Sequence, residues 1–202
     1  AGNMWLGSYY GGLFMRRPGS GYFRNFNTDS IKGARLSSNH VYCVYQDSRG
    51  NLMIGTQYGG LYRYDYSTGQ LRYFHEDLPK NIFVWDIHED KAGDIWLACH
   101  GEGIWCMSAS DDYEPRLLET GKTKLYVTFC ELDDGRMLAG TEKEGLVCID
   151  PLTKEVRNIT MSDGLPDNTV YGILQDGQGN IWMSSNAGLC RTDPTFSSFT
   201  NY

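Results

Sequence analysis

The chain has 202 residues and a net charge of −7, from 25 acidic and 18 basic side chains. Its longest basic cluster is the pair Arg16-Arg17, which argues against a nucleic-acid or anionic-membrane surface, since these need a basic stripe. The 24 glycines suit tight turns, and the 14 Tyr, 8 Phe and 5 Trp suit strands, so the composition indicates an all-β chain.

One heptapeptide, Gly-Asn-Leu-Met-Ile-Gly-Thr in its clearest copy, occurs five times along the chain. The copies begin at Gly2, Gly50, Gly93, Gly135 and Gly179, in steps of 48, 43, 42 and 44 residues. A period of this length is typical of the four-stranded blade of a β-propeller. We therefore predict an all-β propeller of about five four-stranded blades, as a fragment of a larger, seven-bladed one.

The unit over residues 36–79 shows the predicted blade in full, with strands that we call A to D in chain order. They are Val41–Gln46, Leu52–Thr56, Gly60–Asp65 and Gln70–Phe74, joined by turns rich in Gly, Ser and Asp. The whole chain, 1–202, then forms a single partial propeller. Its blades are predicted at 1–35, which lacks strand A, and at 36–79, 80–121, 122–160 and 161–202, giving nineteen strands.

Each blade is expected to bury apolar side chains against both of its neighbours. Strand A is apolar on both sides in places, so we expect it to be the strand packed on both faces. The tryptophans that share one position of strand B, Trp5, Trp96 and Trp182, are expected to wedge between blades. An open stack would leave its two end faces bare. We therefore expect the propeller to be completed by the rest of its own polypeptide or by a second copy, which allows a homodimer.

Several kinds of chemistry find little support in the sequence. The six cysteines fall within predicted strands and form no Cys-x-x-Cys pair, so we expect buried thiols, no cofactor and no metal site. An acid–base pair could be drawn from Asp86, Glu89, Asp90 and Glu131, but hydrolysis needs two carboxylates facing each other across a sugar bond. At Asp90 and Asp176 the recurrence with the A–B turn favours turn capping. No catalytic residue is predicted.

The turns between strands B and C are the candidate ligand-binding elements. They differ between repeats while the strands stay alike, and loops on a rigid scaffold commonly carry function. Tyrosine rings stack on sugars, and Gln, His, Glu and Asn bond hydroxyl groups. The candidates are Tyr9, Tyr10, Gln57, Tyr58, His100, Glu102, Glu142 and Asn186.

The full pattern from Leu36 to Asp65 reads Leu-x-x-Asn-x-Val-x-x-Val-x-x-Asp-x-x-Gly-Asn-Leu-x-Ile-Gly-Thr-x-x-Gly-Gly-Leu-x-x-Tyr-Asp, and Leu165 to Asp193 follows it closely. This pattern resembles the two-component regulator propeller repeat. The resemblance implies the extracytoplasmic sensor region of hybrid two-component systems common in gut Bacteroidetes. In that family two seven-bladed propellers typically precede an immunoglobulin-like domain, a membrane helix, a kinase and a regulator, and the inputs are oligosaccharides.

From the resemblance we expect a non-enzymatic periplasmic sensor domain that binds an oligosaccharide, within an inner-membrane protein whose full length has histidine kinase activity. A propeller glycosidase or lyase is the alternative. A protein-interaction scaffold is a further one, since propellers support many functions. Product formation from oligosaccharides would separate the enzyme from the sensor.

Overall fold

The computed structural model describes residues 2–31, 33–74, 78–121 and 124–202. Within these residues nineteen strands form five sheets, each following the chain order. The helices among them are two three-residue 3-10 turns, Ala109–Asp111 and Met161–Asp163. The predicted all-β fold is confirmed, and so is the predicted count of nineteen strands.

The first sheet has three strands and the second has four, all in antiparallel ladders. The strands of these two sheets are β1 (Met4–Ser8), β2 (Gly12–Arg16), β3 (Arg24–Phe26), β4 (Val41–Gln46), β5 (Leu52–Thr56), β6 (Leu61–Asp65) and β7 (Gln70–Tyr73). The first sheet lacks strand A, as predicted.

The remaining three sheets have four strands each. The third contains β8 (Val84–Glu89), β9 (Ile95–Cys99), β10 (Gly103–Met107) and β11 (Pro115–Leu118). The fourth contains β12 (Tyr126–Glu131), β13 (Met137–Thr141), β14 (Leu146–Ile149) and β15 (Val156–Ile159). The fifth contains β16 (Val170–Gln175), β17 (Ile181–Ser185), β18 (Gly188–Thr192) and β19 (Phe199–Asn201).

The turn between strands A and B is closed by an aspartate just after strand A. One carboxylate oxygen of Asp47 accepts from the backbone N–H groups of Arg49 and Asn51, at 3.1 and 2.6 Å. Asp176 accepts from Gln178 and Asn180 in the same way, both at 2.9 Å. These bonds satisfy backbone groups within two to four residues, so the turn forms locally. The predicted capping role of Asp176 is confirmed.

The chain divides into two compact units. Unit 1 comprises Ala1–Glu89, Gly93–Leu97 and Cys106–Arg116, and unit 2 comprises Asp90–Ala92, Ala98–Trp105 and Leu117–Tyr202. The third sheet contributes to both units.

In unit 1 the apolar core lies between the first and second sheets. The Trp5 ring packs edge-on against Tyr64 of the second sheet, with centroids 4.6 Å apart, and also contacts Phe26 of its own sheet at 6.0 Å. The wedge predicted for Trp5 is therefore confirmed. On the other side of the second sheet, a Cβ at Gly55 would lie 2.9 Å from Val84 Cγ1. Glycine is needed there because strand A of the next sheet comes so close.

In unit 2 the same packing is repeated between the fourth and fifth sheets. A Cβ at Gly140, which is equivalent to Gly55, would lie 2.5 Å from the carbonyl oxygen of Val170. Leu138, Leu146 and Ile159 pack in one apolar cluster with residues of β16 to β18. Trp182 is half-buried, as Trp5 is, but it stacks on Tyr202 of its own sheet, with centroids 5.7 Å apart.

Strand B, rather than strand A, is the strand buried on both faces. Every residue of β5, β9 and β13 is buried, whereas β4 and β16 are buried mainly at their first residue. In β1, the strand B of the first sheet, Met4 is 46% and Leu6 47% exposed. Their equivalents Leu52 and Ile54 in β5 are 3% and 0% exposed, because the first sheet covers them.

Candidate ligand-binding site

The turn between strands B and C is held by the last residue of strand B. The Thr56 hydroxyl donates to the carbonyl of Gly60 at 2.7 Å, and the Thr141 hydroxyl donates to the carbonyl of Gly145 at the same distance. Ser185 makes the corresponding bond to Gly188 at 3.1 Å. The repeated Thr or Ser thus fixes a short turn whose first two residues are left to vary.

Strand A contains a β-bulge at the end of the sheet where the B–C turn lies, so a side chain of strand A also reaches that end. Val41 and Cys43 pair with the consecutive residues Thr56 and Gly55, so Tyr42 is the extra residue of the bulge. The pairing shifts in the same way around Val127 and around Tyr171. A bulge re-aims the side chain of its extra residue. In unit 2 the Tyr171 hydroxyl donates to Asn186 Oδ1 at 3.2 Å, so the bulged residue reaches the B–C turn.

In unit 1 these positions carry a connected group of rings, which we call the aromatic surface. It consists of Tyr9, Tyr10, His40, Tyr42, Tyr58, Phe83 and Trp85. Ring centroids of Tyr9 lie 4.6 Å from Tyr10 and 4.7 Å from His40.

The contacts continue through the bulge. Tyr42 lies 5.8 Å from Tyr9, 4.7 Å from Phe83 and 5.1 Å from Trp85. Tyr58 lies 5.4 Å from Phe83, so the predicted residues Tyr9, Tyr10 and Tyr58 join one continuous group of rings.

The rim of the aromatic surface is open to solvent and its centre is not. Tyr10 is 75% exposed, Tyr58 60% and Tyr9 48%, whereas Tyr42 is half-buried. Burial raises the pKa of Tyr42, and a hydrogen bond with Tyr9 and the nearby hydroxyls of Tyr58 and Tyr10 raise it further. The phenol hydroxyls of these residues therefore lie close together, and each can donate and accept hydrogen bonds.

Gln57 anchors the turn through its backbone, since its N–H group donates to the His40 carbonyl at 3.0 Å. The next residue, Tyr58, has a φ of 53°, in the left-handed region. Bulky residues are uncommon there and pay a conformational cost. The equivalent residue of the next repeat is Gly101, with a φ of 90°. Lys143, at the same position in the fourth sheet, also has a positive φ of 77°, so the left-handed conformation is a property of this turn.

In unit 2 two of the predicted residues, His100 and Glu142, form a hydrogen-bonded pair. His100 Nε2 lies 2.9 Å from Glu142 Oε2, and the Lys143 ammonium is 3.7 Å from the other Glu142 oxygen. The hydrogen bond with His100 is the main cause that lowers the pKa of Glu142. Glu102 is exposed in the same B–C turn as His100.

Asn186 lies at the B–C turn of the fifth sheet. It accepts from Tyr171, as described above, and its amide donates to Asp167 at 3.4 Å. Of the predicted site residues, Tyr9, Tyr10 and Tyr58 thus join the aromatic surface of unit 1, and His100 pairs with Glu142 in unit 2.

The carboxylates considered for acid–base chemistry have structural partners. Glu89 accepts from the backbone N–H and the hydroxyl of Ser48, both at 2.6 Å, and Glu131 accepts from the Lys91 N–H at 2.9 Å. Gln175, at the same repeat position, accepts from Asp133 at 2.8 Å. The last residue of strand A therefore holds the A–B turn of the preceding repeat. Asp90 accepts from the Ala92 N–H at 3.0 Å, which confirms the turn-capping prediction.

The remaining features are a cleft in unit 1 and the residue types that could bind a metal ion or form disulfides. A cleft of about 730 Å³ in unit 1 is lined by Leu36, Ser37, Tyr62 and Tyr73 together with neighbouring residues, and it contains none of the predicted site residues. Among the described residues, no group of three or more His, Cys, Asp or Glu side chains could hold a metal ion. All six cysteines are thiols. The described part of the chain also contains no helix that could span a membrane.

Comparisons with known proteins point to one family of repeats. The model of the two-component regulator propeller matches residues 35–58, 77–101 and 164–187. A search of the curated proteins found no match.

Solved structures share the fold at low identity. One is the extracellular domain of BT4673 from B. thetaiotaomicron, described as a hybrid two component system. It has a TM-score of 0.79 and 23% identity over 98% of this chain and 29% of that one. Another is the corresponding domain of BT3049, with a TM-score of 0.77, 17% identity and 98% and 26% coverage. Virginiamycin B lyase from Staphylococcus aureus has a TM-score of 0.72 and 12% identity over 100% of this chain and 66% of the lyase. The chain thus spans less than a third of the length of these two extracellular domains.

The sequence predicted the turns but not four of the seven residues of the aromatic surface, His40, Tyr42, Phe83 and Trp85. His40 and Phe83 immediately precede strand A, and Tyr42 and Trp85 are its second residue. Their recurrence at equivalent positions was a signal in the sequence. Its meaning depended on the bulge, which the pattern of apolar residues does not reveal.

Proposed function

We propose, from the premise that this chain carries two-component regulator propeller repeats, that it is a ligand-binding sensor domain of a hybrid two-component system. The three matched segments carry this proposal. The solved sensor domains support it through the shared fold, and they are extracellular domains. The proposed location is therefore extracytoplasmic, in the periplasmic part of an inner-membrane protein that has histidine kinase activity at full length.

The proposed ligand is an oligosaccharide, and the proposed role is binding without turnover. The aromatic surface supports sugar binding, because tyrosines offer ring faces together with hydroxyl groups at little entropic cost. The structural bonds of Glu89, Glu131 and Asp90 argue against their use as an acid–base pair. Likeness to a lyase at 12% identity concerns the fold, which does not determine activity.

The test is to titrate the purified protein with a panel of oligosaccharides by calorimetry and to analyse each mixture for products. We expect saturable binding to at least one sugar and full recovery of that sugar. Cleavage or elimination products would favour the glycosidase or lyase. Failure to bind any sugar, together with capture of a defined protein partner, would favour the scaffold.

We also propose that further repeats of the protein's own polypeptide cover the exposed faces of the first and fifth sheets. Leu6 is 47% exposed and Leu189 42%, whereas their equivalents Ile54 and Leu61 are 0% and 2% exposed. Apolar faces of this kind drive association. We expect the 202-residue chain to self-associate in sedimentation velocity, and Leu6→Lys with Leu189→Lys to suppress this. A concentration-independent monomer would contradict the proposal.

A further inference from the structure

The aromatic surface of unit 1 is a continuous array whose geometry suits a chain-like ligand. Ring contacts run from Tyr10 through Tyr9 and Tyr42 to Phe83, each between neighbours 4.6 to 5.8 Å apart. Tyr58 and Trp85 both contact Phe83, at 5.4 and 5.1 Å. Phe83 is only 3% exposed, so a ligand on this surface would meet the exposed rings of Tyr9, Tyr10 and Tyr58 and the half-buried ring of Tyr42.

The chemistry of the array selects for uncharged groups. Phenol hydroxyls exchange hydrogen bonds with sugar hydroxyls, and ring faces accept the apolar C–H faces of a pyranose. Anionic sugars are usually held by Arg or Lys. None of the seven residues that form the aromatic surface is Arg or Lys.

Two features of the backbone position the rings of this array. The bulge turns Tyr42 towards the B–C turns, and Tyr58 is held in the left-handed region. Both features carry a local cost and recur at functional sites. Both features recur in other repeats, with Val127 at the bulge and Gly101 and Lys143 at the turn position, so the backbone supplies these positions and the residue type decides whether a ring occupies them.

We propose that the aromatic surface is the binding site for an uncharged oligosaccharide, with Tyr42 as its central residue and Tyr9, Tyr10 and Tyr58 at the rim. This inference rests on the proposed function and deepens it, by assigning a site and a class of sugar.

The experiment uses two sets of probes with the purified protein. One set is neutral: cellohexaose, xylohexaose, mannohexaose and a galactan hexasaccharide. The other is acidic: a chondroitin sulfate hexasaccharide and hexagalacturonate. Binding is measured by calorimetry for wild type, Tyr42→Leu and Tyr58→Gly. The matched control is Tyr171→Leu, the equivalent bulge position in unit 2, and thermal unfolding verifies that each variant folds.

We expect wild type to bind a neutral probe, Tyr42→Leu and Tyr58→Gly to weaken that binding by about tenfold or more, and Tyr171→Leu to leave it unchanged. Tyr58→Gly keeps the test decisive if Tyr42→Leu does not fold. Binding that only Tyr171→Leu weakens, or that no variant changes, would overturn the site while leaving the sensor proposal intact. Exclusive binding of acidic probes would overturn the class of sugar. No binding of any probe would count against the proposed function and this inference together.

Discussion

The buried interior of the repeat keeps nearly the same residues from one repeat to the next, whereas the end of the sheet that bears the B–C turns, here called the loop end, does not. In the interior, β5 and β13 have nearly the same chemistry, with every residue buried and a glycine where the next strand A approaches. At the loop end, the first residue after strand B is Tyr9, Gln57, His100, Glu142 or Asn186, depending on the repeat. Packing constrains the first region, and the second is free to vary.

The residues at the loop end also differ between the two units. In the second sheet, in unit 1, the bulged residue is Tyr42 and the residue before strand A is His40. In the fourth sheet, in unit 2, the same positions are occupied by Val127 and Leu125. One backbone design thus presents rings in one unit and a His–Glu pair in the other. The fold determines where a side chain is displayed, and the residue type determines what it can bind.

The largest effect should come from the buried face of strand B. Ile54→Ala removes a fully buried side chain from the core of unit 1 and should lower the free energy of unfolding by about 2–5 kcal/mol. Leu6→Ala, the equivalent change in β1, should cost about 0.5 kcal/mol or less because Leu6 is half exposed. Urea unfolding of both variants measures the difference. Equal losses would show that the first sheet is as well covered as the second.

A smaller effect is expected where the interior meets the loop end. Thr141→Val keeps the shape of a fully buried residue but removes the hydroxyl that donates to Gly145 and accepts from the Glu144 N–H. Leaving such groups without a partner should cost about 1–3 kcal/mol. Ser185→Ala, in the more exposed turn, is the milder control. An unaffected Thr141→Val variant would mean that the turn forms without its hydroxyl.

At the loop end itself, Tyr58→Gly should change stability by no more than about 1 kcal/mol. Glycine relieves the left-handed strain at this position but gains freedom in the unfolded chain, and these two contributions oppose each other. Thermal unfolding measures the net result. A loss of several kcal/mol would assign Tyr58 to the structural interior rather than to the loop end.

The smallest effect concerns pH at the opposite turn, between strands A and B. The Trp182 indole N–H donates to Asp176 at 2.8 Å, and this bond, followed by those from Asn180, lowers the pKa of Asp176 to about 2. A lowered folded-state pKa stabilises the turn above the ordinary value near 3.8, and this stabilisation is lost as pH falls through about 2. The Trp182 indole resonance in NMR should titrate in this window, and Asp176→Asn should abolish the titration. A resonance that does not change would refute the contact.

The sequence by itself determined the strands, their grouping into sheets and the A–B turns. These features depend on neighbours within a few residues, such as the bonds from Asp47 to Arg49 and Asn51, or on the alternation of apolar residues. Local chemistry repeated five times leaves little ambiguity. The sequence also identified the turns that bear Tyr9, Tyr58 and His100, because turn positions follow directly from strand positions.

Only the tertiary structure decided which of these residues meet. The bulge at Tyr42 is a matter of register, which one extra residue changes without altering the apolar pattern. The pairs His100–Glu142 and Ser48–Glu89 join residues about one repeat apart, and their contact depends on how neighbouring sheets pack. Repetition specifies each sheet, but the contacts between repeats arise when apolar surface is buried and the sheets take up a fixed arrangement.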